Sequence, residues 1–451
     1  MRFARPLHVL LAMLATWSLA EIRTQSQVKT LAIEHVTIID ATGAPAMPDM
    51  TVVVVGNRIA NVGRSRALRP PVGAQVLDGT GKFLMPGLWD MHVHLGGYDS
   101  GKKAFGQLVA SGIVGVRDMA SPVEEILRLR TETRSGTVLG PAMVVAGPIL
   151  QRPLPFALPP LVRTVADKAE ARRTIDVLKA QGVDFIKVGD TLPRDVYFAI
   201  ADESKRQGIP FAGHVPPFVS AAEASRAGQR SIEHFGSAGF QAVLIACSSE
   251  ESALSQIVQD ALMGALAGGP SPDATLFGAD FTTRLVNTYD ARKASTLFST
   301  FTKNETWQVP TLVALHQVWD GKRGALSPRD IQSEDRLWAK YAEMLGAMKK
   351  AGVKIMAGTD VPLGSGVSPL HEELVLLVKA GISPMEALQS ATRNPAEFLG
   401  TLRTEGTLEV GKIADLVLLE ANPLDDIANT RRISAVIRSG MLVEPNGPPR
   451  R

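Results

Sequence analysis

The sequence predicts an α/β protein, a (β/α)8 TIM-like barrel joined to a small β-sandwich domain that is formed from both chain ends. Two observations support this prediction. Short apolar segments alternate with amphipathic helical segments through the middle of the chain, and β-rich segments separated by turn residues lie near both ends. Eight strand candidates fit a closed barrel better than an open sheet, and a barrel gathers functional groups at the C-terminal ends of its strands.

The two β-rich regions are predicted to pair into one domain. Strand candidates near the N-terminus are residues 31–39, 51–55 and 58–62, and those near the C-terminus are residues 414–419 and 435–437. Two such pieces can form one small domain while the chain between them folds as an insertion. We therefore predict a β-sandwich from residues 28–83 and 404–446.

The middle of the chain, residues 84–403, is predicted to form the catalytic barrel. The strand candidates are residues 87–93, 113–117, 142–146, 185–188, 211–213, 231–233, 308–312 and 354–357. Helical candidates between them include residues 122–133, 165–181, 193–207, 335–351 and 370–380. The spacing breaks between the sixth and seventh strands, where roughly 70 residues exceed an ordinary loop. We predict a helical insertion at about residues 237–307.

Composition and charge exclude several classes of protein. Hydrophobic residues make up 45% of the 451 residues and charged residues 21%, which is typical of a globular protein rather than a disordered or polytopic membrane protein. The formal net charge is only +3, and no basic block carries interleaved aromatic residues, so nucleic-acid binding has little support. The expected partner is a small-molecule substrate, and homo-oligomerisation stays open.

The first 20 residues have the pattern of an export signal. Arg2 and Arg5 precede an apolar run over residues 7–19, and small residues stand before Glu21, where a signal peptidase could cleave. The run is shorter than the ~20 residues that span a bilayer, which argues against stable membrane insertion. The lone Cys247 cannot form an intrachain disulfide. We expect an exported protein, periplasmic or secreted.

One stretch carries the first sign of chemistry. Residues 84–97 contain a short apolar segment broken by Pro86-Gly87 that ends in His92-Val-His94. Residues two apart on a strand point to the same face, so the two imidazoles lie side by side at the end of the first barrel strand. They form either half of a metal site or a structural pair that hydrogen-bonds to its neighbours.

Four more polar residues fall on or just after predicted barrel strands. Lys187 lies in the fourth strand, His214 follows the fifth, His234 follows the sixth and Asp360 closes the eighth. Each alone could be a helix cap, a core histidine or a snorkelling lysine. Together with His92 and His94, however, they converge on one rim of the predicted barrel, and this convergence favours a metal site.

These motifs resemble the amidohydrolase superfamily, in its imidazolonepropionase-like and prolidase-like branch. The resemblance covers essentially the whole mature chain. The segments Pro-Gly-Leu-Trp-Asp-Met-His-Val-His, Ile-Lys-Val, Gly-His, Ile-Glu-His and Gly-Thr-Asp occur in the order typical of the family. Residues 406–417, Gly-Thr-Leu-Glu-Val-Gly-Lys-Ile-Ala-Asp-Leu-Val, also resemble the family's return into the β-domain.

The resemblance implies a binuclear metal centre. It implies that His92, His94 and Asp360 bind one divalent ion, that His214 and His234 bind the other, and that Lys187 bridges them. A protonated lysine has no lone pair to donate, so a bridging role requires an N6-carboxylated side chain. An ion pair between Lys187 and Asp360 or another acidic group is the alternative. Zn2+ is the default metal for His and carboxylate ligands.

Such a centre implies a hydrolase of C–N bonds in amides, peptides or cyclic amides, acting through a hydroxide activated by both metals. Asp360 would be the catalytic residue that passes a proton from water to the leaving nitrogen. A lactonase, carbamate hydrolase or phosphotriester hydrolase is an alternative on the same site. A non-catalytic exported binding protein is the alternative from another class.

The residues that recognise the substrate are less defined. Arg152 and Arg163 could meet a substrate carboxylate, His316 lies just beyond the seventh strand, and Arg117 forms either a substrate contact or a local ion pair with Asp118. Residues 148–160 and the 237–307 insertion would wall the pocket. Glu233 should face away from His234, and His371 opens a helix, so both favour structural roles. Pro216 stands where prolidase-like members often have a substrate-binding tyrosine, which leaves activity on acyl-proline substrates in doubt.

Overall fold

The computed structural model describes residues 29–96, 101–154, 160–237, 241–276, 278–324, 326–360 and 368–443. The predicted signal peptide, the middle of the 148–160 loop and the last residues of the predicted C-terminal part, 444–446, lie outside the described residues. Within the described part of the chain, no helix is both long enough and apolar enough to cross a membrane.

The described residues form seventeen strands. They are β1 Thr30–Ile38, β2 Met47–Val55, β3 Arg58–Arg64, β4 Gln75–Asp78, β5 Phe83–Pro86, β6 Leu88–Val93, β7 Ile113–Asp118, β8 Ala142–Val145, β9 Ile149–Gln151, β10 Val162–Thr164, β11 Ile186–Val188, β12 Phe211–Gly213, β13 Ser231–Glu233, β14 Trp307–Val309, β15 Leu416–Leu419, β16 Ile433–Arg438 and β17 Met441–Val443.

Fifteen α-helices lie in the same described ranges. They are α1 Gly101–Ala110, α2 Val123–Arg134, α3 Lys168–Gln181, α4 Arg194–Gln207, α5 Ala221–Arg226, α6 Ala242–Ala246, α7 Glu251–Leu266, α8 Asp273–Leu276, α9 Ala279–Asn287, α10 Ala291–Lys303, α11 Leu312–Arg323, α12 Pro328–Lys350, α13 Leu370–Lys379, α14 Pro384–Ser390 and α15 Arg393–Phe398. Two 3-10 turns cover His234–Gly236 and Ile427–Arg431.

One eight-stranded sheet joins the two ends of the chain. Its order is β17-β16-β15-β5-β1-β2-β3, and β4 pairs in parallel with β1. The junction is the antiparallel pairing of β15 with β5, which extends to Pro86, so the sheet continues three residues past the predicted boundary. Buried side chains from both ends, including Ile38, Leu84 and Leu416, form its apolar cluster.

The middle of the chain is an α/β layer of parallel strands. One sheet has the order β6-β7-β8 and a second the order β10-β9-β11-β12-β13-β14. Backbone bonds connect the two sheets, because the Asp184 N–H donates to the Val145 carbonyl at 2.8 Å. On the other side, Gln308 exchanges backbone bonds with the 354–357 segment, and the Met91 N–H donates to the Ala357 carbonyl at 3.0 Å.

Several predicted element boundaries need correction. Leu312, predicted as strand, begins α11, and the predicted eighth strand at residues 354–357 contributes only an isolated parallel bridge between Ile355 and Gln308. The helix predicted from Asp335 begins at Pro328, where Ser327 and Asp330 form a reciprocal capping box. Strands β9 and β10 were not predicted. The predicted helical insertion contains α6 to α10.

Candidate metal centre

The six predicted ligands come from five separate parts of the α/β layer. His92 and His94 lie at the C-terminal end of β6, Lys187 is the middle residue of β11, His214 follows β12 and His234 follows β13. Asp360 follows the 354–357 segment. Parallel strands bring their C-terminal ends to the same edge, which is why residues so distant in sequence meet here.

The Asp360 carboxylate lies among three imidazoles. Its Oδ1 is 3.0 Å from His94 Nε2 and 3.5 Å from His92 Nε2, and its Oδ2 is 3.3 Å from His234 Nε2. Ligand atoms of His92, His94 and Asp360 all lie within 4.8 Å of one another, close enough to hold one metal ion. His214 completes the group, with its ring centroid 5.4 Å from that of His234.

Hydrogen bonds at the far side of each ring fix which nitrogen carries the proton. The Nδ1 of His94 lies 3.1 Å from the Ala120 carbonyl oxygen, which can only accept. The Nδ1 of His234 lies 2.5 Å from Thr311 Oγ1, whose own hydrogen goes to the Pro310 carbonyl. Both imidazoles therefore donate through Nδ1, and their Nε2 lone pairs point at Asp360.

His92 follows the same pattern with a charged acceptor. Its Nδ1 lies 2.9 Å from Glu233 Oε2, and both side chains are buried. Burial also lowers the pKa of His92 well below its usual value and that of His234 to about 3, so both rings are neutral at physiological pH. Their Nε2 atoms face Asp360 as lone-pair donors.

Three imidazole nitrogens and a carboxylate that face one another require a positive charge between them. Burial opposes ionisation of Asp360, but the surrounding imidazoles lower its pKa well below the usual value. Burial likewise lowers the pKa of His94, but its hydrogen bond and attraction to Asp360 outweigh that and raise it. Neutral imidazoles around a carboxylate are a ligand set that suits Zn2+.

Lys187 is a buried amine whose charged form is destabilised by burial. The side chain is 1% exposed, and its Nζ has no hydrogen-bond partner among the described atoms. Burial lowers the pKa of Lys187 to about 8 even though Glu233 and Asp360 attract its charged form. Gly213 leaves room for it, because a Cβ there would lie 2.9 Å from Lys187 Cδ and 2.3 Å from the Val188 carbonyl oxygen.

His214 is held by an acidic neighbour. Its Nδ1 lies 3.5 Å from Asp190 Oδ2, and the Ser237 hydroxyl donates to the same oxygen at 3.1 Å. Burial opposes ionisation of Asp190, but interactions with His214 and Ser237 lower its pKa. An ionised Asp190 orients the His214 ring in the way carboxylates orient metal-binding histidines.

Backbone geometry brings Asp360 to the end of β6. Asp360 has a φ of 51°, a left-handed conformation that is uncommon for a residue other than glycine, and its N–H donates to the His92 carbonyl at 2.8 Å. The buried Asp90 carboxylate accepts from both the N–H and the hydroxyl of Thr359, at 3.0 and 2.8 Å. These bonds join the turn that carries Asp360 directly to the strand that carries His92.

Arg117, predicted to contact either substrate or Asp118, is buried among protein partners, and its contact with substrate stays a prediction. Arg117 is 1% exposed, and its guanidinium donates to the Met91 carbonyl, to Ser231 Oγ and to both oxygens of Glu233. Its ion-pair partner is Glu233 rather than the adjacent Asp118, which accepts instead from the Leu95 N–H and the Ser121 hydroxyl. Neighbouring residues of a strand face opposite sides, which is why Arg117 and Asp118 do not pair.

The other predicted substrate contacts lie in different places. Arg152 is half-buried beyond β9, and Arg163 is exposed on β10. His316 is on α11, where it pairs with Asp320 at 3.0 Å and lines a cavity of about 340 Å³ between α11, α12 and α13. Their contacts with substrate stay predictions. His371, expected to be structural, is buried and bonds to Thr430 Oγ1 and the Ser111 carbonyl.

Sequence similarity places this chain in a known family. A sequence profile of the amidohydrolase family matches residues 83–443, most of the chain. Ochratoxinase from Aspergillus niger is 25% identical over 81% of this chain and 76% of its own. Imidazolonepropionase from Pseudomonas fluorescens is 38% identical over 86 residues, which are 18% of this chain and 21% of its own.

Solved structures show the same fold. A protein assigned as a prolidase from Bifidobacterium longum is 28% identical, with a TM-score of 0.68 over 94% of this chain and 96% of its own. The A. niger ochratoxinase structure has a TM-score of 0.67 at 20% identity over 94% of this chain and 96% of its own. The chain belongs to the amidohydrolase family, and it is accordingly a hydrolase that acts on carbon–nitrogen bonds.

Proposed function

We propose that the protein hydrolyses amide, peptide or cyclic amide bonds of small molecules with two divalent metal ions, Zn2+ by default. The observation that carries this proposal is the convergence of three imidazole Nε2 atoms on Asp360, all within 3.5 Å of its carboxylate oxygens. Imidazole nitrogens that converge on a carboxylate in this way are suited to holding a cation.

The ligand set divides into two halves. His92, His94 and Asp360 would hold one ion, and His214 and His234 the other. Lys187 would contribute to both as an N6-carboxylated side chain. Formation of that carbamate requires a neutral amine, and with a pKa of about 8 roughly a tenth of the Lys187 side chains are neutral at pH 7. The partnerless, buried Nζ supports this assignment.

When bound, two metal ions lower the pKa of water and polarise a substrate carbonyl. Asp360 is the group that can move the proton. Its side chain is 28% exposed, more than that of His92 or His234, so a substrate can reach it. Its lowered pKa leaves it ionised at neutral pH. We propose that this carboxylate accepts the proton of the attacking water and releases it to the leaving nitrogen. Two similar proteins, an ochratoxinase and a protein assigned as a prolidase, support an amide substrate.

Metal analysis combined with a substrate panel tests the proposal. We expect close to two divalent ions per chain, and loss of both metal and activity in His92→Ala and His214→Ala. The panel contains N-acyl amino acids and dipeptides, with a lactone, a carbamate and a phosphotriester as comparison substrates. Full activity in thoroughly metal-depleted protein would overturn the proposal. A preference for the lactone, the carbamate or the phosphotriester would show that the site hydrolyses that class of substrate instead of amides.

Substitution of Lys187 tests the bridge separately. Lys187→Ala should lower metal occupancy, and added acetate or propionate should partly restore activity by supplying two oxygens in its place. Lys187→Arg should not restore it, because a guanidinium stays protonated and cannot bind metal. Retention of both metals and normal turnover in Lys187→Arg would exclude the bridging role.

We infer that the parallel strands close into a (β/α)8 barrel and that the sheet from both chain ends is part of a β-sandwich. The backbone bonds of residues 354–357 to both β14 and β6 support the barrel. Closure predicts that the amides of Met91 and Met356 are strongly protected from hydrogen exchange. Rapid exchange of both in the folded protein would contradict it.

We also propose that the protein is exported, to the periplasm or the medium. The support is the sequence pattern of residues 1–20. Fusion of residues 1–25 to a reporter should direct it out of the cytoplasm with cleavage near Ala20. An uncleaved cytoplasmic reporter would exclude export by this segment.

A further inference from the structure

A buried polar network lies behind His92, on the side away from Asp360. Glu233 Oε2 is 2.9 Å from His92 Nδ1 and 3.0 Å from Arg117 Nη2. Glu233 Oε1 accepts from Arg117 Nη2 at 2.9 Å and from Ser231 Oγ at 2.5 Å. His92, Arg117, Ser231 and Glu233 are all 1% exposed or less, so no solvent competes for these bonds.

We propose that Glu233 and Arg117 are positioning residues that make His92 a stronger metal ligand than His94 and His234. Glu233 accepts a hydrogen bond from the His92 Nδ1–H and thereby directs the Nε2 lone pair of His92 toward the metal. Arg117 pairs with both oxygens of the Glu233 carboxylate and holds it in one orientation. This inference rests on the proposed function, because it assumes that His92 binds metal.

The type of acceptor sets His92 apart from His94 and His234, whereas His214 faces the Asp190 carboxylate at the longer distance of 3.5 Å. His94 and His234 donate to neutral oxygens, the Ala120 carbonyl and the Thr311 hydroxyl. A carboxylate acceptor pushes electron density into the imidazole and raises its basicity, which strengthens its bond to a metal. Within the described residues, the His92 ring is the one that combines a carboxylate bond at 2.9 Å with full burial.

Several contacts fix the position of Arg117 and, with it, the orientation of the Glu233 carboxylate. Its Nε donates to the Met91 carbonyl at 2.7 Å, so it fixes the backbone next to His92 as well as the partner of its ring. Its Nη1 donates to Ser231 Oγ at 2.9 Å, which in turn donates to Glu233. The Phe185 and Phe398 rings lie 5.6 and 5.3 Å from its guanidinium carbon. A rotation of the carboxylate would break four hydrogen bonds at once.

The test compares metal affinity in Glu233→Gln with that of a variant in another arginine–carboxylate pair, which is partly buried. The control is Asp415→Asn, because Asp415 also accepts two bonds from one arginine, Arg438, at 3.0 and 2.8 Å, but has no contact with a predicted ligand. Metal dissociation constants are measured by chelator competition, and the melting temperature of the metal-free protein is measured alongside. Neither readout depends on turnover.

We expect Glu233→Gln to bind metal 10- to 100-fold more weakly, whereas Asp415→Asn lowers the melting temperature and leaves metal affinity unchanged. Ser231→Ala removes one donor to Glu233 and should weaken metal binding severalfold. This variant tests the proposal if Glu233→Gln does not fold. Wild-type metal affinity in Glu233→Gln, or in Ser231→Ala when Glu233→Gln is unfolded, would overturn the inference. A wild-type protein that binds no metal would instead overturn the proposed function.

Discussion

Thr311 shows how single residues decide the direction of a metal ligand. Its hydroxyl donates a hydrogen bond to the Pro310 carbonyl, so its oxygen can accept a hydrogen bond from the Nδ1–H of His234. Thr311 has a φ of 47°, which is unusual for a β-branched residue and costs about 1–3 kcal/mol. Such strain persists where the surrounding structure requires it, and here it places the hydroxyl against the imidazole.

We therefore expect Thr311→Val to weaken metal binding about tenfold or more, because it leaves the buried His234 N–H without an acceptor and its ring free to turn. Thr311→Ser keeps the hydroxyl and relieves the crowding of the branched side chain, so its metal affinity should stay near that of the wild type. Chelator competition measures both. Equal affinities for the two variants would show that the hydroxyl has no part in orienting His234.

The sequence predicted the six candidate ligands but not the residues that hydrogen-bond to them. His92, His94, Lys187, His214, His234 and Asp360 stand in short motifs next to apolar strand segments, and the structure brings them together. Glu233 was expected only to face away from His234, since strand spacing says nothing about what lies on its other side. Glu233 is 141 residues from His92 and 116 residues from Arg117 in the sequence. Its hydrogen bonds to them depend on which strands become neighbours in the fold.

At the scale of elements, prediction succeeded where local composition determines structure. The three-residue strands β12 and β13 lie at the predicted positions, each shortly after a turn glycine, Gly208 and Gly228. The start of α12 was missed by seven residues, although Ser327-Pro328-Arg329-Asp330 carries both a capping box and a proline at the first helical position. Strands β9 and β10 flank a proline-rich loop, whose composition gives no strand signal.

Helix α13 carries a buried acid whose protonation should be visible in stability. Burial raises the pKa of Glu373 to about 8, while the Val313 N–H donates to it at 2.8 Å. The folded chain thus binds this proton more tightly than the unfolded chain, where the pKa is near ~4.3. The contribution of Glu373 to stability is fully present below about pH 4 and is lost as the pH rises toward 8. Between pH 5 and 7 the loss is about 3 kcal/mol.

Glu373→Gln should remove this part of the pH dependence, because glutamine resembles the protonated acid in shape and polarity. The measurement is urea unfolding of metal-free protein at pH 5 and pH 7. Its control is Glu372→Gln, the neighbouring exposed residue, which pairs with Arg431 and should leave the pH dependence as in the wild type. An unchanged difference between the two pH values in Glu373→Gln would contradict the assignment.

The whole molecule is connected by contacts between segments that are far apart in sequence. β15 pairs with β5 across about 330 residues, and the Gly87 N–H donates to the Asp415 carbonyl at 2.8 Å where the sheet meets β6. Local patterns predicted that both ends are β-rich, but the register between them follows from tertiary packing. The metal centre is a second such connection, since it draws on segments from His92 to Asp360 that otherwise meet only through neighbouring strands.

Metal removal should therefore lower the stability of the chain as a whole. A ligand that binds only the folded state stabilises it by RT ln(1 + [L]/Kd), which is about 4 kcal/mol at a thousandfold excess over Kd. At about 2–4 °C per kcal/mol, chelation should lower the melting temperature on the order of 10 °C, and added Zn2+ should restore it. His92→Ala should melt at the same temperature with and without added Zn2+, because it lacks one predicted ligand of the first ion. A wild-type melting temperature that does not respond to chelation and metal addition would mean that the folded chain does not hold metal at this centre.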